Sequence, residues 1–170
     1  MTQQNRALPT LTSDGVEEAA WERELEQCYP RELRGLMAVS GSREQAEDAT
    51  QEAIMAAIQH GVGDVRQLDA WLYVVGVRAL RRSRWKQRLV SPLKFLTASS
   101  PPPGLERVHV LELLNQLTPR QREFVIARFY LGLAYDEIAK RFAVSVGTAT
   151  STVTQALAKL RRSLEVSDER

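Results

Sequence analysis

The chain has 170 residues, of which 44% are hydrophobic, 26% charged and 6% aromatic, a balance that suits one ordinary domain or two small ones and excludes wholesale disorder. No apolar run approaches the roughly 20 residues of a membrane-spanning helix. The opening MTQQNRALPTLTSDG lacks the basic start and apolar stretch of a secretory signal, so a reducing cytoplasm is the expected location. One cysteine, Cys28, and two histidines, His60 and His109, allow neither an internal disulfide nor a protein zinc site of the usual kind; no cofactor is expected.

The formal net charge of +2 hides a strong asymmetry. Residues 1–64 carry 5 Lys and Arg against 12 Asp and Glu, a net of −7; residues 65–106 carry 8 against 2, a net of +6; residues 107–170 carry 10 against 7, a net of +3. Within the middle block Arg78, Arg81, Arg82, Arg84, Lys86 and Arg88 follow one another with no acid between them. A solvated helix face usually mixes both signs. An acidic half joined to an undiluted basic stripe points instead to a protein that meets two surfaces, one of them a polyanion.

No segment shows the alternating β-branched pattern of a strand, and helical spacing is widespread, so the fold is expected to be all-α. One or two helices run from about Val16 to Val39, capped by Ser13 or Asp14 and started anew or kinked at Pro30. Ser42 with Gln45 forms a capping box that opens a helix to about His60, stopped by Gly61, with Ala46, Ala49, Ala53, Ile54, Ala57 and Ile58 on its apolar face. Leu68, Trp71, Leu72, Val75 and Ala79 then form one stripe of a further helix, whose continuation is the basic run; Trp71 is expected in the core. SPLKFLTASSPPPG, residues 91–104, holds four prolines and a glycine and predicts a semi-rigid linker.

A second block opens with Val108, Leu111, Leu114 and Leu117 on one face. Thr118-Pro119-Arg120-Gln121 supplies a capping Thr, Pro at the first helical position and Gln at the third for a helix to about Tyr130, stopped by Gly132. Helices over about Tyr135–Phe142 and Val146–Leu164 follow, separated by Ala143-Val144-Ser145, with Ser145 placed to cap the last one. Helix, three-residue turn, helix is the helix-turn-helix arrangement, with Ile138, Ala139, Val144, Val146 and Val153 at the crossing.

Together, REQAEDATQEAIMAAI (43–58), LDAWLYVVGVRALRRSRWKQR (68–88) and LNQLTPRQREFVIARFYLGLAYDEIAKRFAVSVGTATSTVTQALAKLR (114–161) resemble bacterial RNA polymerase sigma factors of the extracytoplasmic-function group. The resemblance covers roughly residues 20–165. It implies two small helical domains: a tail at 1–14, sigma region 2 over 15–90, a linker at 91–106, sigma region 4 with its helix-turn-helix over 107–165, and a short tail at 166–170. It implies binding to core RNA polymerase through Asp48, Gln51 and Glu52. It also implies recognition and melting of the −10 promoter element by Arg78, Arg81, Arg82, Arg84, Trp85, Lys86 and Arg88, where cations meet phosphate and a planar ring stacks on unpaired bases. The −35 element falls to Arg120, Arg122, Lys140, Arg141, Thr148, Thr150, Ser151, Thr152 and Gln155. Promoter DNA, core polymerase and an anti-sigma protein are the implied partners, without membrane insertion. A linker permits both a compact, blocked state and an extended, polymerase-bound one.

The chain departs from the family pattern in three places. Arg78 stands where the family has an Asn that lines the pocket of a flipped −10 base, and Arg lacks the amide's paired donor and acceptor. Ala143 stands where the helix-turn-helix turn usually has Gly. The recognition helix, usually rich in Lys and Arg, carries no charge from Phe142 to Ala158; Thr150 and Thr152 replace a Lys and an Arg, and Gln155 another Arg. Phosphate anchoring then falls to Arg120, Arg122, Lys140, Arg141, Arg161 or Arg162. The rival readings are a stand-alone helix-turn-helix regulator and a sigma-derived protein-interaction module. An enzyme is not expected: there is no convergent carboxylate pair and no glycine-rich phosphate loop, and Cys28 has no local His partner.

Overall fold

The computed structural model describes residues 13–60, 67–90 and 105–168, and every regular element among them is helical. The prolines of 91–104, read above as a linker, lie outside the described residues. Helix α1 spans Ser13–Ser40, α2 Arg43–His60, α3 Leu68–Val90, α4 Leu105–Asn115, α5 Pro119–Val125, α6 Tyr135–Phe142 and α7 Val146–Asp168. Pro30 lies inside a single α1 rather than between two helices. Half of the capping box expected at the head of α2 forms: the Ser42 side chain accepts from the Gln45 backbone N–H at 3.4 Å, but the Ser42 N–H donates to Ser40 Oγ at 3.1 Å, which takes the place of the Gln45 side chain.

Helices α1, α2 and α3 pack into a three-helix unit. At one end Leu25, Ala53, Ala57, Leu68 and Leu72 are buried together, with half-buried Cys28, Ile54, Trp71 and Val75 against them. Alanines on α2 let the three helices approach closely. The packing of α1 on α3 depends on Gly76: a Cβ there would meet Leu36 Cδ1 at 2.5 Å and Glu32 Oε1 at 2.9 Å. Ile58, expected on this apolar face, is exposed instead: the buried face of α2 is made by Ala46, Ala49, Ala53 and Ala57, and Ile58, the last apolar residue before the end of the helix, lies outside it.

In the second block α5 begins as expected. Thr118 accepts from the Gln121 N–H, Gln121 Oε1 accepts from the Thr118 N–H at 3.0 Å, and Pro119 takes the first turn. The helix then widens into a π turn over Ile126–Tyr130, closed by the Leu131 N–H donating to the Ile126 carbonyl at 3.1 Å. The buried run Phe124, Val125, Ile126 and Ala127 passes from the α-helical part into the π turn. Gly132, at φ +76°, ends it. From α7, Ala149, Val153 and Ala156 are fully buried against α5 and α6, at a spacing of four and three. Val146, expected at the helix crossing, is exposed instead, since it begins α7 ahead of that buried face.

The two blocks meet. One cluster joins Leu36 and Val39 of α1 and Tyr73, Val77 and Leu80 of α3 to Phe124, Ile126, Ile138 and Ala139 of the second block. Helix α3 is therefore buried on two faces: the stripe beginning at Leu68 against α1 and α2, and a second stripe of Tyr73, Val77 and Leu80 shared with the helix-turn-helix block.

Candidate nucleic-acid interface

The acidic face of α2 is open. Asp48, Gln51 and Glu52 are all exposed, and Glu52 takes an ion pair from Arg82 of α3. This pair places the end of the acidic face beside the start of the cationic one.

Along α3 the basic run is divided among three environments. Arg82, Trp85 and Lys86 are exposed at its C-terminal part; Trp85, at 65% exposure, is the most open large apolar side chain among the described residues. Nothing in the packing of the helix calls for an indole there, which suits it to stacking on an unpaired base. Arg84 turns inward and donates to the Val39 carbonyl at 3.0 Å. Arg78 and Arg81 face the second block: Arg78 donates to the Arg141 carbonyl at 3.2 Å, and Arg81 pairs with buried Glu123 through both oxygens. That hydrogen-bonded pairing raises the Arg81 pKa above its ordinary value. Arg88 belongs to α3, and its side chain lies outside the described residues.

Trp71, expected in the core, is only half-buried. It lines a groove of about 430 Å³ between α3 and α6 together with Val74, Val75, Arg78, Glu137, Lys140 and Arg141. The second block's cations are likewise divided. Lys140 is exposed, and the Arg120 guanidinium lies over the Phe124 ring, 5.5 Å from its centroid. Arg141 donates to Gln67 Oε1 at 2.9 Å. Arg122 is half-buried and donates to Asn115 Oδ1 at 3.1 Å; burial, with Arg84 nearby, lowers its pKa.

On α7, Thr148, Thr150, Ser151 and Gln155 are exposed and Thr152 half-buried, on the side away from the core. Their hydroxyls bond within the helix. Thr150 and Thr152 donate to the Val146 and Thr148 carbonyls at 3.0 and 2.7 Å, and Ser151 to the Thr148 carbonyl at 3.2 Å. The outward surface is therefore largely methyl, with Gln155 supplying a free amide.

Comparison with known proteins decides the family. A family profile described as Sigma-70, region 4, matches residues 107–160. The RNA polymerase sigma-E factor of Streptomyces avermitilis is 31% identical over 131 residues, covering 72% of this chain and 73% of its own length. That of Streptomyces antibioticus is 30% identical, covering 72% of each. The ECF RNA polymerase sigma factor SigK of Mycobacterium bovis is 36% identical over 87 residues, 51% of this chain and 46% of its own. The chain belongs to the extracytoplasmic-function group of RNA polymerase sigma factors. Two solved structures show the same fold. The sigma factor RpoE of Bartonella quintana, solved with the anti-sigma factor NepR, matches with a TM-score of 0.74 at 24% identity, over 86% of this chain and 98% of its own. CnrH, solved with the cytosolic domain of CnrY, matches at 0.63 and 19% identity, over 88% and 90%.

This sigma factor acts in transcription initiation. Its helix-turn-helix is built on a strained turn: Ala143 sits at φ 54°, ψ 50°, with its N–H bonded to the Ala139 carbonyl. Ser145 then caps α7, accepting from the Thr148 N–H at 3.0 Å. A left-handed conformation costs an L-residue with a Cβ about 1 kcal/mol. Ala143→Gly is expected to stabilise the protein by about that amount and raise its thermal midpoint by about 2–4 °C. Thermal unfolding followed by circular dichroism checks this, and an unchanged or lower midpoint contradicts it.

Residues not singled out from the sequence complete the interface between the blocks: Tyr73, Glu123, Tyr130 and Phe142. Glu123 carried one usable signal, an acid directly ahead of the apolar run Phe124 to Ala127. A buried carboxylate in that setting needs a cation from elsewhere in the fold.

Proposed function

We propose that Asp48, Gln51 and Glu52 of α2 bind core RNA polymerase, that the C-terminal part of α3 holds the single-stranded −10 element, and that the second block docks on the −35 element. The single observation that carries this reading is exposed Trp85 between exposed Arg82 and Lys86, one ion pair away from the open acidic face of α2. Cations hold the phosphates of a melted strand, and the indole stacks on a base. Arg78, Arg81 and Arg88 extend that surface toward each end of the run. Arg84 supports it from within, bonded to α1.

On the −35 side, Arg120, Lys140 and Arg141 are the phosphate contacts and Arg122 orders the start of α5. The methyl groups of Thr148, Thr150 and Thr152 suit thymine methyls, Ser151 a polar edge and Gln155 an adenine. The protein works by binding and DNA distortion with no covalent step, in the cytoplasm, and an anti-sigma protein is its negative partner. No helix among the described residues is long and apolar enough to cross a membrane.

Gel filtration with core polymerase tests the first assignment. The wild-type chain is expected to co-elute. The double variant Asp48→Arg, Glu52→Arg is expected to lose co-elution while keeping its helical circular dichroism, because both positions are exposed and make no core contact. Co-elution of the variant at wild-type yield overturns the assignment of α2.

A further inference from the structure

Three cations converge on the groove between α3 and α6 with no carboxylate to meet them. Arg78 reaches it from α3, and Lys140 and Arg141 reach it from α6. Among the described residues, none of the three lies within ion-pair distance of an acid. The acid that shares the groove, Glu137, is turned to its own helix: its Oε2 accepts from the Ala134 N–H at 2.8 Å and caps α6. Both guanidiniums are held in place. Arg78 donates to the Arg141 carbonyl at 3.2 Å, and Arg141 donates to Gln67 Oε1 at 2.9 Å. Gln67 sits at the head of α3 in a left-handed conformation, φ 64°, a strained geometry of the kind that gathers at functional sites. One such bond uses only part of a guanidinium's N–H donors, so each arginine keeps others for a ligand. The rest of the lining is apolar: the half-buried indole of Trp71, with Val74 and Val75.

We infer that this groove binds a nucleoside phosphate, its base stacked on Trp71 and its phosphate held by Arg78, Lys140 and Arg141. Like charges gathered without a counter-charge repel one another, and an anion that bridges them relieves that repulsion. The volume selects a small occupant. About 430 Å³ falls within the roughly 300–1,000 Å³ of small-molecule sites, whereas a peptide helix about 10 Å across overfills it. The lining selects its chemistry. A bare phosphate has no use for an indole and two valines, and an apolar ligand has none for three cations. A planar ring that carries a phosphate uses both. The inference is independent of the promoter assignments, since it holds whether or not α3 meets the −10 element. Because the lining comes from both blocks, an occupied groove joins α3 to α6 and stabilises the folded chain by mass action.

Isothermal titration calorimetry of the full-length protein at low salt tests this, with ADP, GDP, adenosine and inorganic phosphate as probes. At least one of the two nucleotides is expected to bind at one site per chain with a dissociation constant below about 1 mM, and to raise the thermal midpoint. Adenosine and phosphate, each half of the ligand, are expected to bind more weakly. The double variant Lys140→Gln, Arg141→Gln is expected to weaken nucleotide binding about tenfold or more. Trp71→Leu is expected to weaken nucleotide binding and leave phosphate binding unchanged. Arg82→Gln with Lys86→Gln removes the same charge from exposed positions outside the groove lining, and is expected to leave nucleotide binding unchanged. Absence of binding by both nucleotides overturns the site. So does equal weakening by the two double variants, which marks general attraction to a basic surface. Phosphate binding as tight as that of the nucleotides overturns the role of the indole. The charge variants keep the proposal open to refutation if Trp71→Leu fails to fold.

Discussion

Replacing Thr150 with Lys and Thr152 with Arg is expected to tighten duplex binding and steepen its dependence on salt. From Val146 to Ala158 α7 carries no charge, and Thr150 and Thr152 donate their hydroxyls to carbonyls of their own helix. In the proposed −35 contact it would offer methyl groups and release no counterions. Each new phosphate contact on duplex DNA adds about 0.9 to the slope of log affinity against log salt. Two contacts therefore add about 1.8, so the variant's advantage shrinks roughly tenfold between about 50 and 200 mM salt. Both positions tolerate the change: Thr150 is exposed and Thr152 half-buried, and the core side of α7 is built from Ala149, Val153 and Ala156. Anisotropy titrations on a duplex promoter fragment across a salt series provide the measurement. An unchanged slope means that α7 does not approach the phosphates, and the assignment of the −35 surface fails with it.

The second large effect lies in α1. Glu32 is 2% exposed, and neither carboxylate oxygen has a hydrogen-bond partner. Burial, reinforced by the Asp69 carboxylate, raises its pKa well above the ordinary carboxylate value of 4.5. The groups facing it are Asp69 and Tyr73 of α3 and Cys28 and Arg31 of α1, and Arg31 is committed to Asp69 at 3.1 Å. No hydrogen bond or ion pair offsets the charge of an ionised Glu32, so the fold favours its protonated form. A group whose folded pKa is raised contributes stability that is complete below its unfolded pKa and is lost as pH rises through the folded value. Stability is therefore expected to fall as pH climbs from about 4.5. Glu32→Gln, which keeps the shape and cannot ionise, is expected to remove that part of the fall. The gain is present at pH 8 and disappears near pH 4.5. Urea unfolding of both proteins at the two pH values reads this directly. An equal stability difference at both contradicts the assignment of Glu32 as the titrating group.

Local chemistry made much of this protein legible before any coordinates. The Thr118 capping box and the Ser145 cap on α7 depend on residues within three positions of one another, and both stand as read. Ser42 keeps its cap onto the Gln45 N–H, while the reciprocal half of that box is replaced by Ser40. The exposed indole of Trp85 was legible for a similar reason, since it falls off the apolar stripe of its helix.

What the pattern did not reveal depends on partners distant in sequence. The stripe from Leu68 to Ala79 identified one buried face of α3. The second, with Tyr73, Val77 and Leu80, becomes meaningful only when a block 50 residues further on covers it through Glu123. The same distance hid the division of the basic run. Six cations without an acid between them read as one surface, yet Arg81 meets its acid at position 123 and Arg84 finds a carbonyl at position 39. The π turn was hidden too, because consecutive buried residues from Phe124 to Ala127 carry no 3.6-residue signal.

Run-off transcription with purified core polymerase on a promoter library tests the central claim most directly. The account predicts that adding this chain yields defined transcripts from templates sharing one −10 and −35 pair, and that Trp85→Ala depresses them while still co-eluting with polymerase. A chain that co-elutes with core polymerase yet initiates at no promoter contradicts it.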